Sequence, residues 1–322
     1  MGKEADLLKA HRADYVQALK EISSDPTSGK TKILRESFGL GTNDTPAFLG
    51  MWEACLSVVG GSVAAAESIL YGDSLAINLA GGLHHAQYEN ASGFCMVSDI
   101  AIAIKLLRCK FERVAYVDID LHHGDGPERY FYGDENVLTC SIHQFGRGFY
   151  PGTGDKKDHG GYTNINVPMV SGTHGFIWLA AYKACIIQAL EAFKPEVIVL
   201  QLGVDAHFDD PLGNLKVSVQ EWLEAVKAIA EFDVPILALG GGGYEIKNPP
   251  RMWPAAVLTL MGETVPEDVP SPMSQQFKIP KFLDSEEAVK AANSGDSSGP
   301  YHYADLAAEY IEKELIPNII SR

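Results

Sequence analysis

One short stretch of the chain concentrates the side chains that could do chemistry. Residues 114–121 form an apolar run of strand length, typical of a buried parallel strand. The carboxylates and imidazoles at its end are Asp118, Asp120, His122, His123 and Asp125. Ligands of open α/β sheets bind beyond the carboxyl ends of the strands, so these groups are expected at a binding site.

Alternation along a strand indicates which of these groups can act together. Side chains two residues apart share a face, so Asp118, Asp120 and His122 project together while the strand persists. Carboxylates beside an imidazole are a common set of ligands for a divalent cation, and burying them without a counter-charge would be costly. The alternative is a solvated acidic loop with incidental histidines.

The elements that position these residues follow from periodicity. Strand-like runs lie at 74–79, 114–121, 137–142, 197–202 and 235–239. Helical patterns lie at 62–70, 99–108, 176–192, 219–232, 251–261 and 303–315. This alternation predicts an α/β fold in which one largely parallel sheet is flanked by helices. Residues 1–322 are expected to form a single domain, with a loop-rich C-terminal excursion at about 263–300.

Three more strand ends carry groups that would converge on the first. They are Gly-Gly-Leu-His-His at 81–85, Gln-Leu-Gly-Val-Asp at 201–205 and Gly-Gly-Gly-Gly-Tyr at 240–244. Adjacent histidines after a glycine turn are hard to explain by packing alone. Each motif is weak by itself, whereas the four together in this order are specific.

With these motifs the sequence resembles the zinc-dependent histone deacetylase family, close to the class I and acetoin-utilisation branches of the arginase-deacetylase fold. The resemblance runs from about residue 5 to 261 and includes 91–95, 151–155 and 251–253. It implies a metal-dependent amidohydrolase that removes acetyl or related acyl groups from the lysine side chains of proteins such as histones.

Residue by residue, the resemblance implies a metal centre of Asp120, His122 and Asp205. The expected ion is Zn²⁺, with Fe²⁺ as an alternative. Two carboxylates and one imidazole leave positions open for water and substrate, as a catalytic metal requires. Taken alone, Asp205 is equally well explained as a turn residue.

The resemblance also implies the catalytic residues. His85 is expected as the main general base and later acid, with His84 as its electrostatic partner. Asp118 would pair with His84 and Asp125 with His85, which fixes the tautomers and raises basicity. Tyr244 would donate a hydrogen bond to the acyl oxygen; the alternative is a core tyrosine after a loop.

An acyl-lysine tunnel and its rim are implied as well. Gly93, Phe94 and Tyr150 match the wall and Leu212 matches a rim residue. Asp44 matches a rim carboxylate that holds the substrate backbone, with an exposed turn aspartate as the alternative. The chain departs from the family pattern at several positions, which predicts a slightly more polar tunnel. Tyr150 lies where phenylalanine is usual in the family, Met96 and Ser98 replace a tyrosine and an asparagine, and Gln87 replaces a common lysine.

Structural K⁺ ions are a further implication of the resemblance, bound mostly through backbone oxygens. The residues that match the first potassium site are Asp118, Asp120, His122, Ser141 and Ile142. A second site is expected near Phe131 and Val137.

Composition limits the partners. A formal net charge of -16 argues against a general nucleic-acid binder and would favour a basic partner such as a lysine-rich tail. Five scattered cysteines without CxxC spacing fit a reducing compartment. No leader is recognised and no apolar run reaches membrane-spanning length, so a cytoplasmic or nuclear, non-secreted protein without membrane contact is expected.

Several alternatives stay open. Relative to the family, the chain begins at a helix resembling an internal one and lacks the opening strand and first helix, so self-association over an uncovered surface is expected. Rival functions are a small-molecule deacylase of the acetylpolyamine type, a binuclear ureohydrolase and a catalytically weak acyl-lysine-binding scaffold. The ureohydrolase is disfavoured because its paired metals need more carboxylates than the motifs supply.

Overall fold

The structure is a computed structural model that describes residues 1–320. At its centre lies one six-stranded sheet in which all neighbouring strands pair in parallel. The strands are β1 (Leu75–Asn78), β2 (Val114–Asp118), β3 (Val137–Gln144), β4 (Asn164–Met169), β5 (Val197–Gln201) and β6 (Ile236–Leu239). Their spatial order is β1-β6-β5-β2-β3-β4. The predicted α/β class with a parallel sheet is confirmed.

Helices cover both faces of the sheet. They are α1 (Glu4–Leu7), α2 (Ala13–Ser24), α3 (Lys32–Ser37), α4 (Met51–Tyr71), α5 (Asp99–Leu107), α6 (Asp125–Tyr130), α7 (Gly175–Tyr182), α8 (Gln188–Phe193), α9 (Val219–Ala230), α10 (Asn248–Leu260), α11 (Met273–Phe277), α12 (Glu286–Ala292), α13 (Ser298–Tyr310) and α14 (Ile316–Ile320). A 3₁₀ turn at Gly29–Thr31 precedes α3, and π-helical turns at Lys183–Ile187 and Ile311–Leu315 join α7 to α8 and α13 to α14.

Two apolar cores explain why the strands read as continuous hydrophobic runs. Val114 and Tyr116 of β2 pack in the core that contains α1, α2, α4 and α5. Ala115 and Val117 of the same strand pack in the opposite core with α7, α9 and α10. Because successive strand residues point to opposite faces, both sets must be apolar.

The sequence prediction missed helix α2 and several short helices, and two further differences concern the sheet and helix α4. Strand β4 lies at one edge of the sheet, where Pro168 is tolerated although it cannot donate to a ladder. Helix α4 begins eleven residues before the predicted start at 62, because Gly60 lies inside it rather than at its end. A Cβ at Gly60 would lie 2.2 Å from the backbone nitrogen of Gly2, so the glycine permits close packing of the chain's first residues.

The expectation that no apolar run reaches membrane-spanning length is wrong, because two helical stretches, Met51–Tyr71 and Gly175–Phe193, are long and apolar enough by composition to cross a membrane. Both are packed within the fold. The first contacts α5 and β1, and the second contacts α9 and α13. Packing against neighbouring elements accounts for the buried part of their apolar surface.

The region at 263–300 contains the short helices α11 and α12 between irregular segments. Val269, Ile279 and Phe282 are buried in the core shared with α7, α9 and α10. Asp284 lies 2.8 Å from Arg251 Nη1 and 3.0 Å from His207 Nε2, which ties this segment to α10 and to the loop after β5. The assignment of the chain to a single domain stays a prediction.

Candidate active site

Three ligand atoms meet where the central strands end. Asp120 and His122 follow β2, and Asp205 follows the adjacent strand β5. His122 Nδ1 lies 3.2 Å from Asp120 Oδ1 and 3.1 Å from Asp205 Oδ2. All three residues are buried, and their ligand atoms lie within 4.8 Å of one another. Buried carboxylates packed this closely around one imidazole are typical of a metal centre.

Main-chain and amide donors fix the two carboxylates. The second oxygen of Asp120 accepts hydrogen bonds from Gln201 Nε2 at 3.0 Å and from the backbone of Gly242 at 2.8 Å. Asp205 Oδ1 accepts from the backbone of Leu121 at 2.8 Å. A Cβ at Gly242 would lie 2.3 Å from Asp205 Oδ2, so the glycine run after β6 permits the backbone to approach the ligands.

Asp118 does not share this cluster, although alternation along a strand places it on one face with Asp120 and His122. Strand β2 ends at Asp118, so the period of two does not continue to the ligands. Asp118 Oδ2 instead accepts hydrogen bonds from His84 Nδ1 at 2.8 Å and from the hydroxyl of Tyr116 at 2.6 Å. The group that could hold a metal contains Asp205 in its place.

Each imidazole of the adjacent pair has its own carboxylate. His84 faces the fully buried Asp118, and His85 Nδ1 lies 2.6 Å from Asp125 Oδ1 at the start of α6. The two rings lie 4.0 Å apart between centroids, and His85 is 5.8 Å from the ring of His122. With Nδ1 bonded to carboxylate, the Nε2 atom of His85 is left to face the pocket.

Electrostatics distinguish the two histidines. Burial alone would lower the pKa of His84, but the charges of Asp118 and Asp120 outweigh it and raise this pKa to about 9. Burial, together with the positive charge of His84, lowers the pKa of His85 to about 4, despite the hydrogen bond to Asp125. Two adjacent imidazoles cannot both be protonated cheaply, so the one between two carboxylates holds the proton.

The ligand carboxylates repel each other. Burial and the charge of Asp120 raise the pKa of Asp205 to about 7. Burial would raise the pKa of Asp120 too, but His84 and His122 lower it well below its usual range. The two buried carboxylates are thus held side by side at an electrostatic cost, which a bound cation would reduce.

A pocket of about 300 Å³ leads from the surface to these groups. Its lining comprises Asp44, His85, Gly93, Phe94, His122, Phe149, Tyr150, Leu212 and Tyr244. The structure thus brings all five predicted tunnel and rim residues to one cavity. Phe149 was not predicted to line it; its ring stacks on His122 at 5.3 Å, and its position beside Tyr150 in the sequence is the signal that could have indicated it.

The wall has three features that the sequence did not reveal. Gly93 and Phe94 form a tight turn in which both have positive φ, and the Ser92 hydroxyl shares a 2.6 Å hydrogen bond with that of Tyr150 across the pocket wall. The ring of Tyr150 meets the ring of His85 edge-on at 4.9 Å.

Tyr244 is anchored through its backbone. Asp210 Oδ2 accepts from the backbone nitrogen of Tyr244 at 2.7 Å, and Asp210 Oδ1 accepts from that of Leu212 at 3.0 Å. Burial and the charge of Asp120 raise the pKa of Tyr244 above its usual value, so its hydroxyl stays protonated. The role of Asp210 was missed because Asp-Asp-Pro at 209–211 has the composition of an ordinary turn.

The residues named for potassium sites lie beside β2 and β3. Asp118 and Ser141, two members of the first set, are partners in adjacent strands. Phe131 follows α6 and Val137 begins β3. Asp134 lies between them in the sequence, and its backbone nitrogen donates a hydrogen bond to the Phe131 carbonyl at 2.9 Å. Binding of K⁺ at either set stays a prediction.

Comparison with known proteins gives a consistent result. A sequence model of the histone deacetylase domain matches residues 2–260. The chain is 38% identical to histone deacetylase clr6 of Schizosaccharomyces pombe (strain 972 / ATCC 24843), over 98% of the chain and 76% of that protein. It is 39% identical to histone deacetylase 1 of Oryza sativa subsp. japonica over 84% of the chain and 52% of that protein. It is 38% identical to histone deacetylase 1 of Homo sapiens over 82% of the chain and 55% of that protein. The chain spans about half the length of several curated relatives that it matches.

Proposed function

We propose, from the premise that this chain belongs to the histone deacetylase family, that it is a zinc-dependent hydrolase that removes acetyl or related acyl groups from lysine side chains. The observation that carries the proposal is the convergence at one pocket of a candidate metal triad, two imidazole–carboxylate pairs and Tyr244. The comparisons do not favour the small-molecule deacylase or the scaffold.

The donor set of Asp120, His122 and Asp205 fits zinc. In a tetrahedral site with bonds of about 2.0–2.1 Å, neighbouring ligand atoms lie about 3.3 Å apart. The distances from His122 Nδ1 to the two carboxylates, 3.2 and 3.1 Å, agree with that spacing. These three residues would hold the ion, and Fe²⁺ would be accepted by the same oxygen and nitrogen donors.

When bound, the metal would polarise the acyl carbonyl and make a water molecule more acidic. His85 would accept the proton of the attacking water at Nε2 and return it to the leaving amine. His84, held by Asp118, would keep positive charge beside the reaction centre. The hydroxyl of Tyr244 would donate a hydrogen bond to the oxygen that becomes negative in the transition state.

Phe94 and Tyr150 would enclose the aliphatic stem of the lysine, and Leu212 would contact it at the rim. Asp44, exposed at the mouth, would accept hydrogen bonds from the substrate backbone. Because the net charge is -16, a lysine-rich histone tail would be attracted electrostatically. We further propose structural K⁺ at the two predicted sites and a cytoplasmic or nuclear location.

Activity on acylated substrates after metal removal tests this function. The purified protein is treated with a chelator, assayed on an acetyl-lysine histone peptide and on acetylputrescine, and then assayed again after Zn²⁺ is restored. We expect activity on the peptide that is lost on chelation and regained with zinc. Full activity in metal-free protein would refute the mechanism, and a preference for acetylputrescine would favour the small-molecule deacylase.

Asp205→Asn provides a second arm, with Asp209→Asn as the matched control because Asp209 is an exposed carboxylate four residues away. Loss of a metal ligand should remove bound zinc and turnover together, whereas Asp209→Asn should keep both. Metal content is measured on the same preparations as kcat. Retention of zinc and turnover by Asp205→Asn would contradict the assigned triad.

A further inference from the structure

Gln87 contacts both members of the His85–Asp125 pair. Its Nε2 donates hydrogen bonds to Asp125 Oδ2 at 2.9 Å and to the backbone carbonyl of His85 at 3.1 Å. The other carboxylate oxygen of Asp125 lies 2.6 Å from His85 Nδ1. We propose that Gln87 is a positioning residue that fixes the Asp125 carboxylate and, through it, the ring of His85; this rests on the proposed function, in which His85 moves the proton.

Asp125 needs such support more than Asp118 does. Asp118 is fully buried and accepts hydrogen bonds from His84, from the hydroxyl of Tyr116 and from the backbone of Asp120, so its orientation is already determined. The side chain of Asp125 is 19% exposed, and Asp125 is the first residue of α6. Within residues 1–320, Gln87 is the donor that holds Asp125 Oδ2, and without it the carboxylate is free to turn away from His85.

The chemistry of Gln87 argues against a purely packing role. The side chain is 8% exposed, and both hydrogens of its amide are used, one on Asp125 and one on the His85 carbonyl. Its Oε1 is buried and bonds no atom of the described chain. Burying an amide oxygen without a partner destabilises the fold, so an apolar side chain of equal size would pack better. The amide is therefore explained by what its nitrogen holds.

Gln87 also separates the reaction centre from a second cavity. That cavity of about 440 Å³ is polar and is lined by Gln87 together with Tyr88, Lys105 and Arg129 among others. A side chain that did not bond Asp125 could turn toward this space. The two hydrogen bonds of the amide oppose that movement and keep the side chain beside the histidine.

Three variants separate the donor from the volume it fills. Gln87→Met keeps the length and removes the donor, and Gln87→Lys restores a donor of similar reach. Gln220→Met is the matched control, because Gln220 lies outside the pocket and its Nε2 donates a hydrogen bond of 2.7 Å to the backbone carbonyl of Asp284. Each is assayed for kcat and KM on an acetyl-lysine peptide, with zinc content and circular dichroism measured alongside.

We expect Gln87→Met to lower kcat at least tenfold with KM changed less than about twofold, since loss of a hydrogen-bond partner that orients the side chains of a metal site typically lowers activity ten- to a hundredfold. Gln87→Lys should recover most of kcat, and Gln220→Met should match wild type. Because Gln87 acts through Asp125, adding Gln87→Met to Asp125→Asn should lower kcat no further. A full multiplicative loss in the double variant would overturn the proposal.

The outcome is separable from failure of the proposed function. Wild-type protein without deacetylase activity would reject the function itself. Active wild type together with an unchanged kcat in Gln87→Met, or no recovery in a folded Gln87→Lys, would reject the role of Gln87. If the methionine variant does not fold, Gln87→Asn gives the same comparison, because its shorter amide does not reach Asp125.

Discussion

Replacing Tyr244 by phenylalanine should lower kcat about a hundredfold or more and leave the fold unchanged. The backbone of Tyr244 is held by Asp210 at 2.7 Å, and its ring lies 5.7 Å from that of Phe94. Both contacts survive in the variant. Among the described residues no atom is hydrogen-bonded to the hydroxyl of Tyr244, so its removal leaves no protein group unsatisfied and the free energy of unfolding should change by less than about 0.5 kcal/mol.

The magnitude follows from when the hydroxyl acts. One preorganised donor to a developing oxyanion contributes about 3 kcal/mol to transition-state stabilisation, which is about a hundredfold or more in kcat. A hydrogen bond made equally to the ground state would contribute about 1 kcal/mol and would appear in KM. The two cases are therefore distinguished by which kinetic constant changes.

The assay is steady-state kinetics on an acetyl-lysine peptide with urea unfolding of the same preparations. Tyr301→Phe is the control, because Tyr301 is 60% exposed on α13 and lies outside the pocket. It should keep both constants. A kcat of Tyr244→Phe within threefold of wild type, or a loss confined to KM, would refute the assignment of this tyrosine to the oxyanion.

Three further substitutions test other parts of the structure. Burial would raise the pKa of Asp284, but the hydrogen bond to His207 and the charge of Arg251 lower it from 3.8 to about 2. Its contribution to the free energy of unfolding, about 2 kcal/mol, is therefore present above pH 4 and is lost as the pH falls through 2. The difference between wild type and Asp284→Asn in urea unfolding should shrink over that interval; a constant difference would contradict the ion pair. Tyr150→Phe removes the hydrogen bond to Ser92 and should lower the free energy of unfolding by about 1 kcal/mol. In a panel of acylated peptides, the same variant should discriminate less between acetyl and longer acyl groups. Asp210→Ala should lower kcat more than it raises KM, because the backbone of Tyr244 loses its anchor; equal kcat in this variant would show that the loop is held by other contacts.

The fold could be predicted because its signals are local. The apolar runs at 114–121 and 197–202 are buried on both faces, so their composition alone indicates central parallel strands. Strand β4 has the sequence Asn-Ile-Asn-Val-Pro-Met, whose asparagines and proline are poor strand formers. It forms because it pairs with β3 and is covered by α13, and that contact is invisible in a local pattern.

The candidate site could likewise be predicted only in part from the sequence. Residues at strand ends could be named from the motifs, and the role of each stays a prediction until it is tested. The roles of Asp210 and Gln87 could not be predicted, since each acts through a hydrogen bond to a residue far along the chain. Asp210 bonds Tyr244, 34 positions away, and Gln87 bonds Asp125, 38 positions away. The spacing of such partners depends on how the loops fold, so neither position forms a motif with its partner in the sequence.

Strand order accounts for the place of the site. From β2 the chain moves through β3 to β4 at one edge, and it then returns to form β5 on the other side of β2 before moving to β6. The loops that follow β2 and β5 therefore diverge toward opposite faces of the sheet and leave a crevice between them, which is where open α/β sheets bind ligands. Asp120 and His122 come from the first of these loops and Asp205 from the second. The sequence supplies the ligands, but only the reversal of strand order brings an aspartate 83 residues distant to 3.1 Å from His122.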